Sequence, residues 1–460
     1  MNTANRIAIF ISIILISFLT GKLITMEKTI LPVLFLGFII FVFISFRNIE
    51  YGLIILVFSM LLSPEIKIAE LPGRAVVVRF DDLILITLFV VWLAQMALKK
   101  ELGLLTTTPL NLPIFTYTLI CVLFTARAIA LGYVKPVKSF FYVLKYIEYF
   151  FLFLMTTNIV KEERQIKNLL IAGLITFLIV CIYGYTLIGK VERIWAPFDY
   201  DPATRSGESG SLGGYLLIVM SVLFGLFCYA PSTKYALGFI GLIVFALAPF
   251  AYTLSRASFF AFGPMLLSII LLTEKRKLIL LGLIFTGLIF APIVFPKPTQ
   301  DVLNRIQETF VGSGEQEVSF LGLKIKETSA LLRIDSWKKA LFKWLPKQPF
   351  FGHGVTGVGL VDTQYPLVIG ELGLTGFLVF LWLIWSVGKN SLRIFKSLSP
   401  ENWIGKGLSL GLFCALVALL FQGVAVNTFI IIRIMEPFWF LCGITMALKQ
   451  SETKNKFAER

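Results

Sequence analysis

The stretch 235–272 reads YALGFIGLIVFALAPFAY (235–252), TLSRAS (253–258) and FFAFGPMLLSIILL (259–272), two apolar runs joined by a short turn that contains one arginine. Neither run alternates with period two, so each reads as a helix and not as a strand of a barrel. A helix satisfies its own backbone hydrogen bonds inside hydrocarbon, where no water is available. The turn carries Arg256 between Ser255 and Ser258. A guanidinium at that position is costly unless it meets protein, water or an anion. Anion binding is therefore the first functional expectation.

The same pattern extends in both directions. Apolar stretches fall at 7–24, 29–46, 51–64, 81–98, 111–131, 138–158, 167–188, 211–229, 234–253, 257–273, 277–295, 366–388, 405–425 and 428–448. A membrane helix needs about 20 apolar residues. The third and tenth stretches are short, so 12 to 14 spans are expected. Composition agrees: 57% of the 460 residues are hydrophobic and 15% charged, against about a quarter charged in a soluble chain. The expected fold is an all-α polytopic membrane bundle. Residues 1–295 form its N-terminal part, 296–365 a large loop, 366–448 the C-terminal helices and 449–460 a tail. The run from Ile7 lacks a small-residue cleavage site behind it and reads as a retained anchor.

The net charge of +15 does not point to nucleic acid, because the basic residues crowd into alternate short loops. One set holds Arg47, Lys99, Lys161, Arg164, Lys234, Lys275, Arg276, Lys389, Arg393 and the tail from Lys449. By the positive-inside rule these loops and both termini are cytoplasmic. The loops 64–80, 189–210, 253–257 and 296–365 are then outside. The five cysteines, Cys121, Cys181, Cys228, Cys414 and Cys442, lie in apolar spans without metal spacing and read as small core residues. His353 is the one histidine, so no multi-histidine metal site is available, and no metal or cofactor is expected.

In the long loop, Ile334, Trp337, Leu341, Trp344 and Leu345 share one helical face of 333–345, with Lys338, Lys339 and Lys343 on the remainder. That is the pattern of a helix lying in the membrane surface, and equally of one packed on its own loop. Gly352, Gly354, Gly357 and Gly359 follow, a spacing that matches neither phosphate-binding glycine pattern.

The polar residues that could carry chemistry gather on the expected outer side. Arg256 stands at a helix start, where free N–H groups and the helix dipole favour an anion. Its alternative is an interface arginine snorkelling to headgroups. Arg205 lies in an outer loop, where an arginine is often only solvated. Arg333 begins the amphipathic segment. His353, Asp362 and Glu371 are the groups available for proton transfer. Their alternatives are a turn residue, a helix N-cap and a partnered buried carboxylate. Arg433 and Glu436, near Asn427, are three apart and read as an intramembrane pair, as do Lys145 and Glu148.

Several stretches together resemble the bacterial O-antigen polymerase and O-antigen ligase family. Asp362-Thr363-Gln364-Tyr365 followed by Gly370-Glu371-Leu372-Gly373-Leu374-Thr375-Gly376 is similar to its signature. Thr253-Leu254-Ser255-Arg256 resembles its serine–arginine element, and Arg205-Ser206-Gly207 its upstream arginine–glycine loop. Arg333 through Trp337, then Pro349-Phe350-Phe351-Gly352-His353-Gly354, resemble its arginine–tryptophan and Pro-x-x-Gly-x-Gly elements. The resemblance covers roughly 195–380. It implies a bundle like that of the C-type glycosyltransferases, active at the periplasmic face of the bacterial inner membrane. A glycan on undecaprenyl pyrophosphate would pass to an acceptor hydroxyl, on another lipid-linked repeat unit for a polymerase or on lipid A-core for a ligase. The bilayer and a chain-length regulator protein are further implied partners. Ligases carry histidine where Asp362 stands, so the chain looks more like a polymerase of O-antigen or exopolysaccharide. On this reading Arg256, Arg205 and Arg333 hold pyrophosphate, with Asp362 the first choice of base ahead of His353 and Glu371, and Ser255, Arg433 and Glu436 secondary. Two rivals remain: a lipid-linked oligosaccharide flippase, which would show paired halves with interrupted helices, and a non-catalytic partner in an assembly complex.

Overall fold

A computed structural model describes residues 30–71, 74–98, 105–201, 205–294, 328–359 and 361–458, with short pieces at 300, 303–304, 318–320 and 323–325. The expected anchor at 7–24, Lys99 and most of the polar stretch 300–327 lie outside the described residues.

The helices are α1 (Ile30–Arg47), α2 (Ile49–Leu62), α3 (Phe80–Leu98), α4 (Asn111–Ala130), α5 (Pro136–Ile159), α6 (Glu163–Leu187) and α7 (Ser209–Tyr229). They continue with α8 (Thr233–Tyr252), α9 (Arg256–Leu272), α10 (Lys277–Val294), α11 (Thr328–Lys339), α12 (Gln364–Ser397), α13 (Trp403–Gln422) and α14 (Ile432–Ala458). Among the described residues, α3 to α8, α12 and α13 are long and apolar enough to cross a membrane, and shorter apolar helices fall in α1, α2, α9 and α10. This is an all-α, multi-pass membrane protein. Three small hairpins join helices: β1 (Glu65–Leu71) with β2 (Arg74–Arg79), β3 (Tyr200–Asp201) with β4 (Ser206–Gly207), and β5 (Val318–Phe320) with β6 (Leu323–Ile325).

The core is built on α7, whose apolar window is 94% buried. It packs chiefly on α13. In lipid there is no hydrophobic drive between helices, so close backbone approach at small residues supplies the attraction. A Cβ on Gly225 would sit 2.2 Å from the Gly407 carbonyl oxygen, and one on Gly411 would sit 2.6 Å from Val222 Cα. Either substitution would force the two helices apart.

The helices alternate in direction, and their ends sort into two groups. At one end Asn168 Nδ2 donates to Glu50 Oε1 (2.8 Å) and Arg276 Nη1 to the Phe227 carbonyl (2.7 Å). These bonds tie α6 to α2 and the α9–α10 turn to α7. At the other end lie the α8–α9 turn, the start of α7 and the start of α12. Two expected spans change shape there. The last span starts later than expected, because a 3-10 turn occupies Thr428–Ile430 and α14 begins at Ile432. The span expected at 366–388 is the 34-residue α12, which is broken at Gly373 (φ 65°, ψ −169°). The 24 residues after the break are about 36 Å long at 1.5 Å each, enough to cross a bilayer without the first nine.

Candidate functional site

The α8–α9 turn shows why Arg256 stands where it does. Thr253 Oγ1 donates to the Phe250 carbonyl (2.7 Å) and accepts from the Ser255 N–H (3.3 Å). Leu254 between them takes a left-handed conformation (φ 46°), an uncommon one for a bulky residue. Ser255 then caps α9, its Oγ accepting from the Ser258 N–H (3.4 Å) and the Ser258 hydroxyl (2.9 Å). Ser258 accepts in turn from Gln422 Nε2 (3.0 Å), which also donates to the Gly210 carbonyl (3.0 Å). Gln422 therefore locks the start of α9 to the start of α7 and the end of α13. Arg256 projects from this anchored first turn, half-buried. Phe260 lies one turn on along the same face. It is 57% exposed and 5.6 Å from the Phe421 ring. Arg256 thus starts the helix whose next turn carries an open aromatic surface between α9 and α13.

Arg205 hangs from the same frame. Ile194 N–H donates to the Tyr252 carbonyl (3.1 Å) and Arg193 Nε to the Thr253 carbonyl (3.2 Å), pinning the loop 188–208 to the α8–α9 turn. Arg433, 3% exposed, holds the loop from α14. Its guanidinium donates to the carbonyls of Pro197 (3.2 Å) and Phe198 (3.1 Å), and Nε lies 3.4 Å from Asp199 Oδ1. Asp199 Oδ2 accepts from the Glu208 N–H (3.2 Å). Both edges of the β3–β4 hairpin are thereby fixed, and Arg205 sits exposed within it at φ 53°. The expected Arg433–Glu436 pair is not formed. Arg433 serves the loop, while both Glu436 oxygens are buried without a hydrogen bond.

Asp362 belongs to this side. It is exposed, and the N-cap position of α12 falls to Thr363 instead. Asn427 Nδ2 donates to the neighbouring Val361 carbonyl. The Gln364 N–H donates to the Gly423 carbonyl (3.0 Å), and Gln364 Oε1 accepts from the Phe429 N–H (2.9 Å). The segment 423–428 so links Asp362 to Gln422 and through it to Ser258.

His353 and Glu371 fall elsewhere, in the break of α12. The Gly-rich loop fills that break: His353 N–H donates to the Gly370 carbonyl (3.0 Å), Gly354 N–H to the Glu371 carbonyl (2.8 Å), and Leu374 N–H to the Pro349 carbonyl (2.8 Å). Carbonyls that the break would leave bare are thereby satisfied, the condition for irregular backbone within a membrane bundle. His353 Nδ1 lies 3.1 Å from the Gly370 carbonyl oxygen. Facing an acceptor, Nδ1 is the ring nitrogen that donates in this contact. The Glu371 carboxylate accepts from the Thr356 N–H (2.6 Å) and so holds the loop in place. Ser139 Oγ lies 2.9 Å from Thr356 Oγ1, and the Val355 N–H donates to Thr125 Oγ1 (3.1 Å). His353 and Glu371 are thus grouped with α4 and α5, apart from the Ser255–Gln422 hub.

Helix α11 starts five residues before the expected 333–345 and passes into a π-helical turn at Ala340–Trp344. The Trp337 ring lies 6.2 Å from that of Tyr365, and the Trp344 ring packs against Gly370. Both tryptophans therefore touch the first turns of α12, while Phe342 is 78% exposed. Arg333 is half-buried on α11.

The sequence reading passed over several residues. Gln422 gave no signal, being one amide in an apolar run. Arg127 joins the Gly-rich loop through Gln348 Oε1 (3.1 Å) and the face of Phe351 (4.9 Å). A buried ionic cluster also went unread. Arg79 Nη2 lies 2.7 Å from Asp81 Oδ2, and Lys145 Nζ bridges Asp82 (2.6 Å) and Glu148 (3.3 Å), with Glu436 beside them. The expected Lys145–Glu148 pair is therefore present as part of a larger assembly. The adjacent Asp81-Asp82 at the head of an apolar run was the signal available. A cavity of about 250 Å³ lined by Glu163, Lys167, Glu401 and Trp403 lies at the opposite end of the bundle from Arg256.

No family model matches the chain, and no curated protein is similar to it.

Proposed function

We propose that the chain is a membrane glycosyltransferase that polymerises undecaprenyl-pyrophosphate-linked repeat units into O-antigen or exopolysaccharide at the periplasmic face of the inner membrane. The observation that carries this reading is the Ser255–Arg256 helix start. It is anchored by Gln422, lies one turn before exposed Phe260, and shares a frame with Arg205 and Asp362. A polyprenyl tail would lie along the aromatic surface with its pyrophosphate at the α9 N-terminus. There the departing diphosphate gains the helix dipole and the two guanidiniums, and preorganised charge in a water-poor site acts most strongly. The acceptor hydroxyl oxygen attacks the anomeric carbon, the bond from that carbon to the pyrophosphate oxygen breaks, and Asp362 accepts the hydroxyl proton. Asp362 is open to solvent and has the reach for an incoming sugar, whereas Glu371 already accepts a backbone N–H.

A transporter is the second reading, favoured by the break in α12 at Gly373, since transporter sites use interrupted helices. No second helix among the described residues carries such a break. Purified protein incubated with a lipid-linked repeat unit, with and without lipid A-core, separates the readings. A glycan ladder without core supports the polymerase, and transfer to core alone means ligase. Absence of any transfer, together with movement of the donor across vesicles, would replace both with a flippase.

A further inference from the structure

The ionic cluster formed by α3, α5 and α14 carries an unmet need. Asp81, Asp82 and Glu436 are 0%, 6% and 0% exposed, and one ligand oxygen of each lies within 4.8 Å of the others. Glu148 adds a fourth carboxylate, and the described basic groups facing them are Arg79 and Lys145. In their ordinary ionised forms these residues hold an excess of two negative charges. Uncompensated charge out of water is severely unfavourable.

Hydrogen bonding does not remove the excess. Asp82 Oδ2 accepts from the Arg79 N–H (3.0 Å) and faces Lys145, but Asp82 Oδ1 has no donor. Glu436 is the independent observation. It comes from α14, 355 residues further along the chain, and both its oxygens are buried in the cluster against the Asp81 carboxyl, with no N–H, hydroxyl or cationic side chain on them. Shared protons would pair one carboxyl with the next and still leave oxygens bare. A single cation meets three carboxylates at once.

We propose that Asp81, Asp82 and Glu436 form a site for one hard divalent cation, Mg2+ or Ca2+, which fastens the start of α3 to the start of α14. All three donors are carboxylate oxygens, the ligands such ions prefer, at about 2.0–2.1 Å for Mg2+ and 2.3–2.6 Å for Ca2+. Two oxygens on opposite sides of such an ion are about 4.1 to 5.2 Å apart, and the three oxygens here all lie within 4.8 Å of one another, close enough to meet one ion. The double charge equals the excess. The surrounding contacts hold the donors in place: Asp81 N–H donates to Ser63 Oγ (3.0 Å), and Arg79 Nη2 to the Met60 carbonyl (2.7 Å). Arg433, three residues before Glu436, grips the Arg205 loop. The ion would thus steady the helix that steadies that loop.

The test uses the full chain in lipid nanodiscs, stripped with EDTA. Mg2+ and Ca2+ are titrated separately at constant ionic strength, with unfolding followed by tryptophan fluorescence and bound metal by elemental analysis. The expected result is one ion per chain and a saturable rise of several degrees in unfolding temperature, with the tighter of the two ions identifying the occupant. Glu436→Gln and Asp82→Asn, made separately so that one folding failure does not end the test, should each weaken binding by about tenfold or more. No retained divalent ion, a response that NaCl reproduces, or variants that bind as the parent does would overturn the proposal. The readout is independent of glycan transfer, so its outcome is separable from that of the proposed activity.

Discussion

Arg433 and Arg256 carry the same charge in opposite circumstances. Arg433 is buried and occupied by two carbonyls and Asp199. Replacing it with Met leaves Asp199 and the loop carbonyls without their partner, and breaking a buried pair costs about 3–5 kcal/mol. Arg433→Met should therefore unfold at a clearly lower temperature in detergent. Arg256 is half-buried at a helix start that Ser255, Ser258 and Gln422 hold together. Arg256→Ala should lower glycan transfer on the order of 10²-fold, the size of effect seen when one donor to a developing oxyanion is removed. Arg256→Lys should restore only part of the rate, because an ammonium is a point charge and lacks the planar fork that grips two phosphate oxygens. Equal transfer by Arg256→Ala and the parent, at equal protein level, would remove Arg256 from the chemistry.

At the scale of elements, α12 is the informative one. A sequence reader sees one apolar run and expects one straight span. The chain instead breaks at Gly373, where φ is 65° and a Cβ would sit 2.6 Å from Phe350 carbonyl carbon. Gly373→Ala should destabilise the fold by about 1–3 kcal/mol from backbone strain alone, with the clash added. Unfolding temperature measures it, and an unchanged value would mean the break is not needed. Gln422 works at the same scale, joining α7, α9 and α13. Gln422→Leu removes the donor to the half-buried Gly210 carbonyl and to the buried Ser258 hydroxyl and should cost about 1–3 kcal/mol. The loss should be accompanied by reduced transfer as the start of α9 loosens. The Gly225, Gly407 and Gly411 seam, by contrast, was legible as small residues in apolar runs, although their meeting across α7 and α13 was not.

For the whole molecule, the alternation of helix directions places the Arg256 turn and the Arg276 turn at opposite ends of the bundle. All five cysteines are buried, so a single added thiol would report cleanly. Lys190→Cys and Glu274→Cys, both at exposed positions, should react with a membrane-impermeant reagent from opposite sides, and labelling of both from one side would reject the topology. The places of the eight bilayer-length apolar helices were readable in the chain because such a run is a local property, carried by neighbouring residues. The positions of Ser255, Arg256 and Asp362 at span starts were readable for the same reason. The meeting of Asp81 and Asp82 with Glu436, the filling of the α12 break by the loop around His353, and the turning of Arg433 away from Glu436 were decided by tertiary structure alone. Each depends on which helix ends become neighbours, and that is settled by packing between segments up to hundreds of residues apart, which no local pattern encodes.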